Sequence, residues 1–358
     1  KMITSTQNIR VGSLKLSEIL GEIQEKTDKF YLVVEEYLST FSHMLKSFLN
    51  KNSIKNFIAT GKNLNLILKL LDVNTSNGLS YISKEKFNIF YSKIKDKTPN
   101  QISQIYNLSL DNSEILLPSM AIYKNLWNFT NSKKMIILDI NLIDVLLYEN
   151  IFSKKSIIEF KNLKESTIIS AKNVGKKYEY NPAHSNIIEK FSLKIFDDLK
   201  EIHGLDDRDR LLLQLSAILH DIGKFISLKN HYDHSYELIR SSHIFGITNE
   251  ELEIIANVSK YHSVKIPDAH DENYKKLSNK KQLLVSKLAA LLRLADSLDR
   301  AHKNKIKDIK IKLKKDTLDI IAITEEPIFL EKWVFDEKTD IFEQIFGIKA
   351  KLIRRETR

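Results

Sequence analysis

Six side chains able to hold a divalent ion recur along the middle of this sequence. His184, the adjacent pair His220-Asp221, His234, His262 and Asp296 each fall on or at the end of a different helix-patterned stretch. A helical bundle can converge such positions into one pocket. Neutral imidazoles mixed with carboxylates suit Mn, Fe, Co, Zn or Mg better than a soft-ligand site would. An adjacent His-Asp pair at a helix end can reach one ion, or two neighbouring ions, from a rigid frame. An ion held there lowers the pKa of water and polarises a phosphoryl oxygen. Lys224, one turn further on in His220-Asp221-Ile222-Gly223-Lys224, is placed to neutralise a phosphate.

The composition narrows the chemistry. The chain has no cysteine, which excludes a disulfide framework, a Cys-type zinc site, an iron–sulfur cluster and a thiol nucleophile. Any metal must rest on His, Asp or Glu. Of ten histidines only His43 lies outside 184–302, so the imidazoles are concentrated where the pocket is expected. With 56 Lys+Arg against 46 Asp+Glu, the formal charge of +10 favours anionic partners, although a lysine surplus is also common on solvated helix faces. The most apolar region, 135–152, is interrupted by Asp139, Asn141, Asp144 and Glu149, far short of a bilayer span. We therefore expect a cytoplasmic protein with no membrane contact.

The elements that must position these residues fall into three zones, an α+β multidomain arrangement. In 1–152, short apolar runs at 30–34, 57–60 and 135–138 read as strands, and 80–94 and 115–129 as helices, an α/β layer pattern. In 153–305 strand signals vanish. Helices are expected over 185–203, with Gly204 as stop, over 208–221, from about 233, after a Thr248/Glu251 capping box, and over 280–300 behind Ser278. In 306–358, Ile309, Ile311 and Leu313 alternate with Lys310, Lys312 and Lys314. A hairpin to 318–323, an amphipathic helix over 331–346 and a last strand over 348–353 follow.

The order His184, His220-Asp221, Asp296 resembles the signature of the HD metal-dependent phosphohydrolase superfamily, and His234 and His262 match the extra histidines of its dinuclear members. The flanking text is closer still. Leu219-His220-Asp221-Ile222-Gly223, His234-Ser235-Tyr236-Glu237-Leu238-Ile239, Tyr261-His262 and Leu292-Arg293-Leu294-Ala295-Asp296-Ser297-Leu298-Asp299-Arg300 together resemble the C-terminal half of the exopolyphosphatase/guanosine pentaphosphatase (Ppx/GppA) family. The tail, with Leu330-Glu331-Lys332-Trp333 and Phe342-Glu343-Gln344-Ile345-Phe346-Gly347, fits as well. So, more weakly, does Arg10-Val11-Gly12-Ser13-Leu14-Lys15-Leu16, similar to the opening of the second actin-like (ASKHA, RNase H-like) lobe.

The resemblance implies a second actin-like lobe over 1–152, an all-α HD domain over 153–305 and a small α+β domain over 306–358. The family's first lobe, with its catalytic carboxylate, is then missing, and an opening at Lys1 rather than Met suggests that something upstream has been removed. The second phosphate loop corresponds to Ala59-Thr60-Gly61-Lys62-Asn63, where two glycines of the family's turn are replaced. Lys62 could supply charge in their place.

By the same resemblance His184, His220, Asp221 and Asp296 hold a first metal, and His234 and His262 serve a second ion or the phosphate. Asp221 bridges metals and orients the attacking group. Beside the resemblance, Lys224 would offset charge on the phosphoryl group, and Arg300 could reach the phosphate, though an intrahelical salt bridge is the commoner outcome. The expected substrate is polyphosphate or a phosphorylated guanine nucleotide, and two-fold pairing is a further family expectation.

Three readings compete: hydrolysis at the HD site, chemistry in a completed actin-like cleft, and a non-catalytic module that binds polyphosphate or a guanosine polyphosphate. The blander readings are a polar bundle core for the His/Asp set and a solvated strand face for the lysines at 303–315, preferred over a nucleic-acid surface. Trp333, Phe342 and Phe346 read as core, His243, His270 and His302 as surface or capping positions, and His231 as a remote pocket candidate. Arg293 reads as an intrahelical ion-pair partner.

Overall fold

The computed structural model describes residues 9, 11–24, 26–27, 29–48, 54–73, 79–138, 156–268 and 270–355. Arg10, the apolar stretch 139–152 and the expected boundary at 152/153 lie outside them. Contacts divide the chain into two compact units, one over 8–156 and one built mainly from 157–358.

The N-terminal unit contains α1 (Ser13–Gln24), α2 (Phe30–Phe48), β1 (Phe57–Ala59), α3 (Lys62–Leu70), β2 (Leu79–Ser83), α4 (Lys84–Ile94), α5 (Pro99–Tyr106), α6 (Leu110–Trp127) and β3 (Lys134–Leu138). Its sheet runs β1-β3-β2, with β1 parallel and β2 antiparallel to the central β3. The expected strand at 30–34 is helix instead. Phe30, Val34 and Leu38 are all buried at four-residue spacing, and that stripe overrides the local β-branched run. The expected helix over 80–94 divides at Ser83: Ser80 and Ile82 face inward from a strand, and the Ser83 hydroxyl then caps α4 by accepting from Lys86 N at 3.1 Å. Trp127 closes the core between Phe57 and Phe87, each with ring centroids 5.5 Å away.

The second unit holds α7 (Ser156–Lys177), α8 (Pro182–Asp198), α9 (Lys200–His203), α10 (Asp207–Leu219), a 3-10 turn (Ile222–Phe225), α11 (His231–Arg240), α12 (Asn249–Lys260), α13 (Glu272–Lys275) and α14 (Asn279–Ser297). After them come β4 (Asp308–Leu313), β5 (Thr317–Ile323), α15 (Phe329–Lys338), α16 (Asp340–Phe346) and β6 (Lys349–Arg355). The helix starts follow their caps. Asn181 accepts from Ala183 N and His184 N, and Asp206/Asp209 and Thr248/Glu251 form capping boxes. α14 is the central post: Leu288, Leu291, Leu292, Leu294 and Ala295 are fully buried, each leucine contributing roughly 1.5–3 kcal/mol.

The bundle and the C-terminal sheet share one hydrophobic core, in which Leu291 and Phe191 join Ile309, Leu318, Ile320 and Phe342. The sheet runs β4-β5-β6 with an antiparallel β4/β5 hairpin and β6 parallel to β5. Lys310 and Lys312 are exposed, as the alternation demands. The expected single helix over 331–346 is two helices meeting at Thr339, and Trp333 is 60% exposed rather than core.

Candidate metal centre

Each candidate side chain enters from a separate backbone device. His184 lies in the first turn of α8, its N–H held by Asn181 Oδ1 at 3.2 Å. His220 and Asp221 sit where α10 gives way to the 3-10 turn. Ser235 of α11 locks that turn: its hydroxyl donates to His220 O at 2.6 Å and accepts from Gly223 N at 2.9 Å. The approach is close enough to require glycine, since a Cβ on Gly223 would stand 2.0 Å from His231 O and 2.4 Å from Ser235 N. His262 follows the end of α12, and Asp296 projects from the last turn of α14.

These residues meet. His184 Nε2 lies 3.2 Å from His220 Nε2, and Asp296 Oδ1 lies 3.5 Å from both. Asp221 divides its oxygens: Oδ2 is 3.6 Å from His184 Nε2 and 3.5 Å from His220 Nε2, whereas Oδ1 is 3.4 Å from His231 Nε2 and 3.6 Å from His262 Nε2.

The other ring nitrogens fix the tautomers. Nδ1–H of His220, His262 and His231 donates to the carbonyls of Ala217 (2.8 Å), Ser259 (2.5 Å) and Leu228 (3.2 Å), and that of His184 to Asp299 Oδ2 (2.9 Å). Four Nε2 atoms and two carboxylates therefore face one small space. With the Nε2 positions deprotonated, imidazoles and carboxylates at this spacing form a donor set that fits a divalent ion oriented by outer hydrogen bonds.

The electrostatics differ from ring to ring. Burial pulls His184 down, but its hydrogen bonds to Asp296 and Asp299 and the fields of Asp296 and Asp221 outweigh that and lift it to about 9. Burial opposes ionisation of Asp221, yet His220, His262 and Lys224 hold it well below the carboxylate range. Lys338 and the histidines do the same for Asp296. Burial lowers His262 to about 4 and also lowers His231. These two rings stay neutral and ready to ligate.

The sequence reading needs several corrections here. His231, kept only as a remote candidate, contacts His262 Nε2 at 3.4 Å. His234, three residues on, is in none of the close donor groups found among the described residues. His302, expected at the surface, stacks on His184 at 3.8 Å and forms a donor group with His184 and Asp221. It does so with φ +52°, a left-handed conformation costly for histidine. Lys224 reaches Asp221 Oδ2 at 2.5 Å. Arg300 is exposed beyond α14. Lys62 lies in the N-terminal unit, exposed at the start of α3, after Gly61 at φ +144°. Arg293 makes no intrahelical pair; its Nη1 caps the carbonyls of Tyr261, Ser263 and Lys265. Asp299, three residues after Asp296, shares its helical face but entered only as flanking text, and Lys338 had no sequence signal because it comes from another element.

Residues 167–336 match the family model described as Ppx/GppA phosphatase, domain III. That match supports membership of the Ppx/GppA family. The matched segment includes all the clustered histidines and aspartates and ends two residues before Lys338. No curated protein matches the sequence. Among the described residues, no helix is long and apolar enough to cross a membrane.

Proposed function

We propose that this chain is a divalent-metal phosphohydrolase whose chemical centre is the His/Asp cluster of domain III, an HD-type site, acting on a phosphoanhydride or phosphoester bond of polyphosphate or a phosphorylated guanine nucleotide. The division of Asp221 supports it, with one oxygen toward His184 and His220 and the other toward His231 and His262. His184, His220, Asp221 and Asp296 would hold a first ion, and Asp221, His231 and His262 a second. Bound there, divalent metal supplies Lewis acidity and a water of lowered pKa.

The protein's own groups do the rest. Asp221 accepts a proton or hydrogen bond from the attacking water. Asp299 keeps the His184 ring in its ligating tautomer. Lys224 can swing from Asp221 to the transferring phosphoryl group, its side chain being 30% exposed. We read the N-terminal unit as a second actin-like lobe because the 59–63 turn leads from strand β1 through Gly61 into helix α3.

The test is elemental analysis of the purified chain, followed by Mn²⁺ titration read by thermal stability and by hydrolysis of a generic phosphodiester. We expect bound transition metal, a higher Tm with Mn²⁺, and loss of both metal and turnover in His220→Ala. A chain that carries no metal and responds to Mn²⁺ in neither assay ends this reading. A second reading, a non-catalytic module binding polyphosphate or guanosine polyphosphate, draws on the Lys224–Asp221 pair, which engages the cation that catalysis would need. Binding of guanosine tetraphosphate without turnover would favour it.

A further inference from the structure

The last residue of α15, Lys338, lies outside the matched family segment and reaches into the cluster from the C-terminal layer. Its side chain is 9% exposed, with Nζ 2.6 Å from Asp296 Oδ2 and 3.2 Å from the carbonyl of His262. Asp221 carries the matching arrangement, with Lys224 Nζ 2.5 Å from its Oδ2. Each carboxylate that would ligate metal thus already has its own ammonium group.

The other facing donors are imidazoles, neutral in their ligating form. Two further buried charges nearby, Asp299 and Arg293, are opposite in sign. In that ligating form the donor set together with its resident cations is close to electrically neutral. A divalent ion placed among these groups has its charge uncompensated in a mostly buried site, where like charges repel far more strongly than in water. A dianion arriving with the ion removes that imbalance.

We propose that Lys338, together with Lys224, makes divalent-metal binding and phosphate binding mutually dependent at this site, so that the ion is held firmly only when a phosphate dianion is present. This rests on the metal-centre reading above and goes beyond it by assigning Lys338 a positioning and charge-setting role. Lys338 also holds Asp296 to one free oxygen, Oδ1, which is the oxygen that faces His184 and His220. Linkage then requires that each ligand tighten the other by the same factor.

The experiment is equilibrium dialysis of the full chain against Mn²⁺, with and without inorganic phosphate, using chloride at matched ionic strength as control. The wild type is expected to bind Mn²⁺ about tenfold or more tightly with phosphate present, and Mn²⁺ to tighten phosphate by the same factor. Lys338→Met should tighten phosphate-free Mn²⁺ binding by about tenfold and shrink the coupling, because the resident charge is gone. Lys338→Gln, which keeps a donor toward Asp296, serves if the methionine variant does not fold, and the wild-type coupling decides alone if neither variant does. Mn²⁺ binding that phosphate leaves unchanged overturns the proposal while leaving the metal centre intact. So does a Lys338 variant that folds and binds Mn²⁺ more weakly. Absence of Mn²⁺ binding under every condition instead overturns the metal-centre reading itself, and this one with it.

Discussion

The residue that most tightly constrains the centre is not a ligand. Gly223 lets the turn after His220-Asp221 press against the start of α11, where a side chain would overlap His231 O and Ser235 N. Gly223→Ala must push α11 away, carrying His231 from Asp221 and breaking the Ser235 bridge. We expect a loss of about 3 kcal/mol in urea unfolding together with weakened Mn²⁺ binding. An alanine variant of wild-type stability would show that the close approach is not required. His302 offers a complementary test. Its φ of +52° suits asparagine better than alanine, so His302→Asn should keep the melting temperature more nearly than His302→Ala. Equal melting temperatures would remove the argument from backbone strain. Helix periodicity reveals neither role, because one position is a steric contact across sequence and the other a turn.

At the scale of elements, the bundle stands on its caps. Glu251 closes the Thr248 capping box on α12 and pairs with Arg208 from α10, Nε to Oε1 at 2.6 Å. The Arg208 hydrogen bond outweighs burial and, with the Thr248 contacts, holds Glu251 down at about 2, against 4.5 for the free side chain. Its folded pKa is depressed, so its contribution is complete above about pH 4.5 and is lost as pH falls toward 2. Glu251→Gln should therefore flatten the acid limb of a stability–pH curve within that window and leave its shape above pH 5 alone. An unchanged acid limb would contradict the pairing. This cap was legible in the sequence because Thr-x-x-Glu is a local pattern. The Arg208 partner was not, since it comes from another helix.

At the scale of the whole chain, the second unit treats the bundle and the C-terminal sheet as one body. Ile309, Leu318, Ile320, Phe335 and Phe342 lie in the same core as α8 and α14, and Lys338 reaches Asp296 from that layer. A chain ended after residue 305 exposes that core and loses the Asp296 partner. We expect it to aggregate or to melt without a cooperative transition by circular dichroism. A soluble fragment with a sharp melt would show that 306–358 is dispensable to the bundle. The composition shift near 306 marks where the pattern changes from helix to strand, and tertiary packing makes the two sides a single core.

The sequence alone picked out most of the histidines and aspartates that the structure brings together. With no cysteine available, His184, His220, Asp221, His262 and Asp296 were the candidate donors, and helix spacing with capping patterns was enough to spread them over several separate elements. The strands at 57–60 and 135–138 and the lysine-faced hairpin were equally local. What only the tertiary structure decided was geometry across elements. Helical register turned His231 and not His234 toward Asp221, a left-handed turn stacked His302 on His184, and packing of α15 against α14 delivered Lys338. The reason is physical: periodicity records which face of an element is apolar, whereas a ligand set depends on rotation, approach distance and partners far away in sequence.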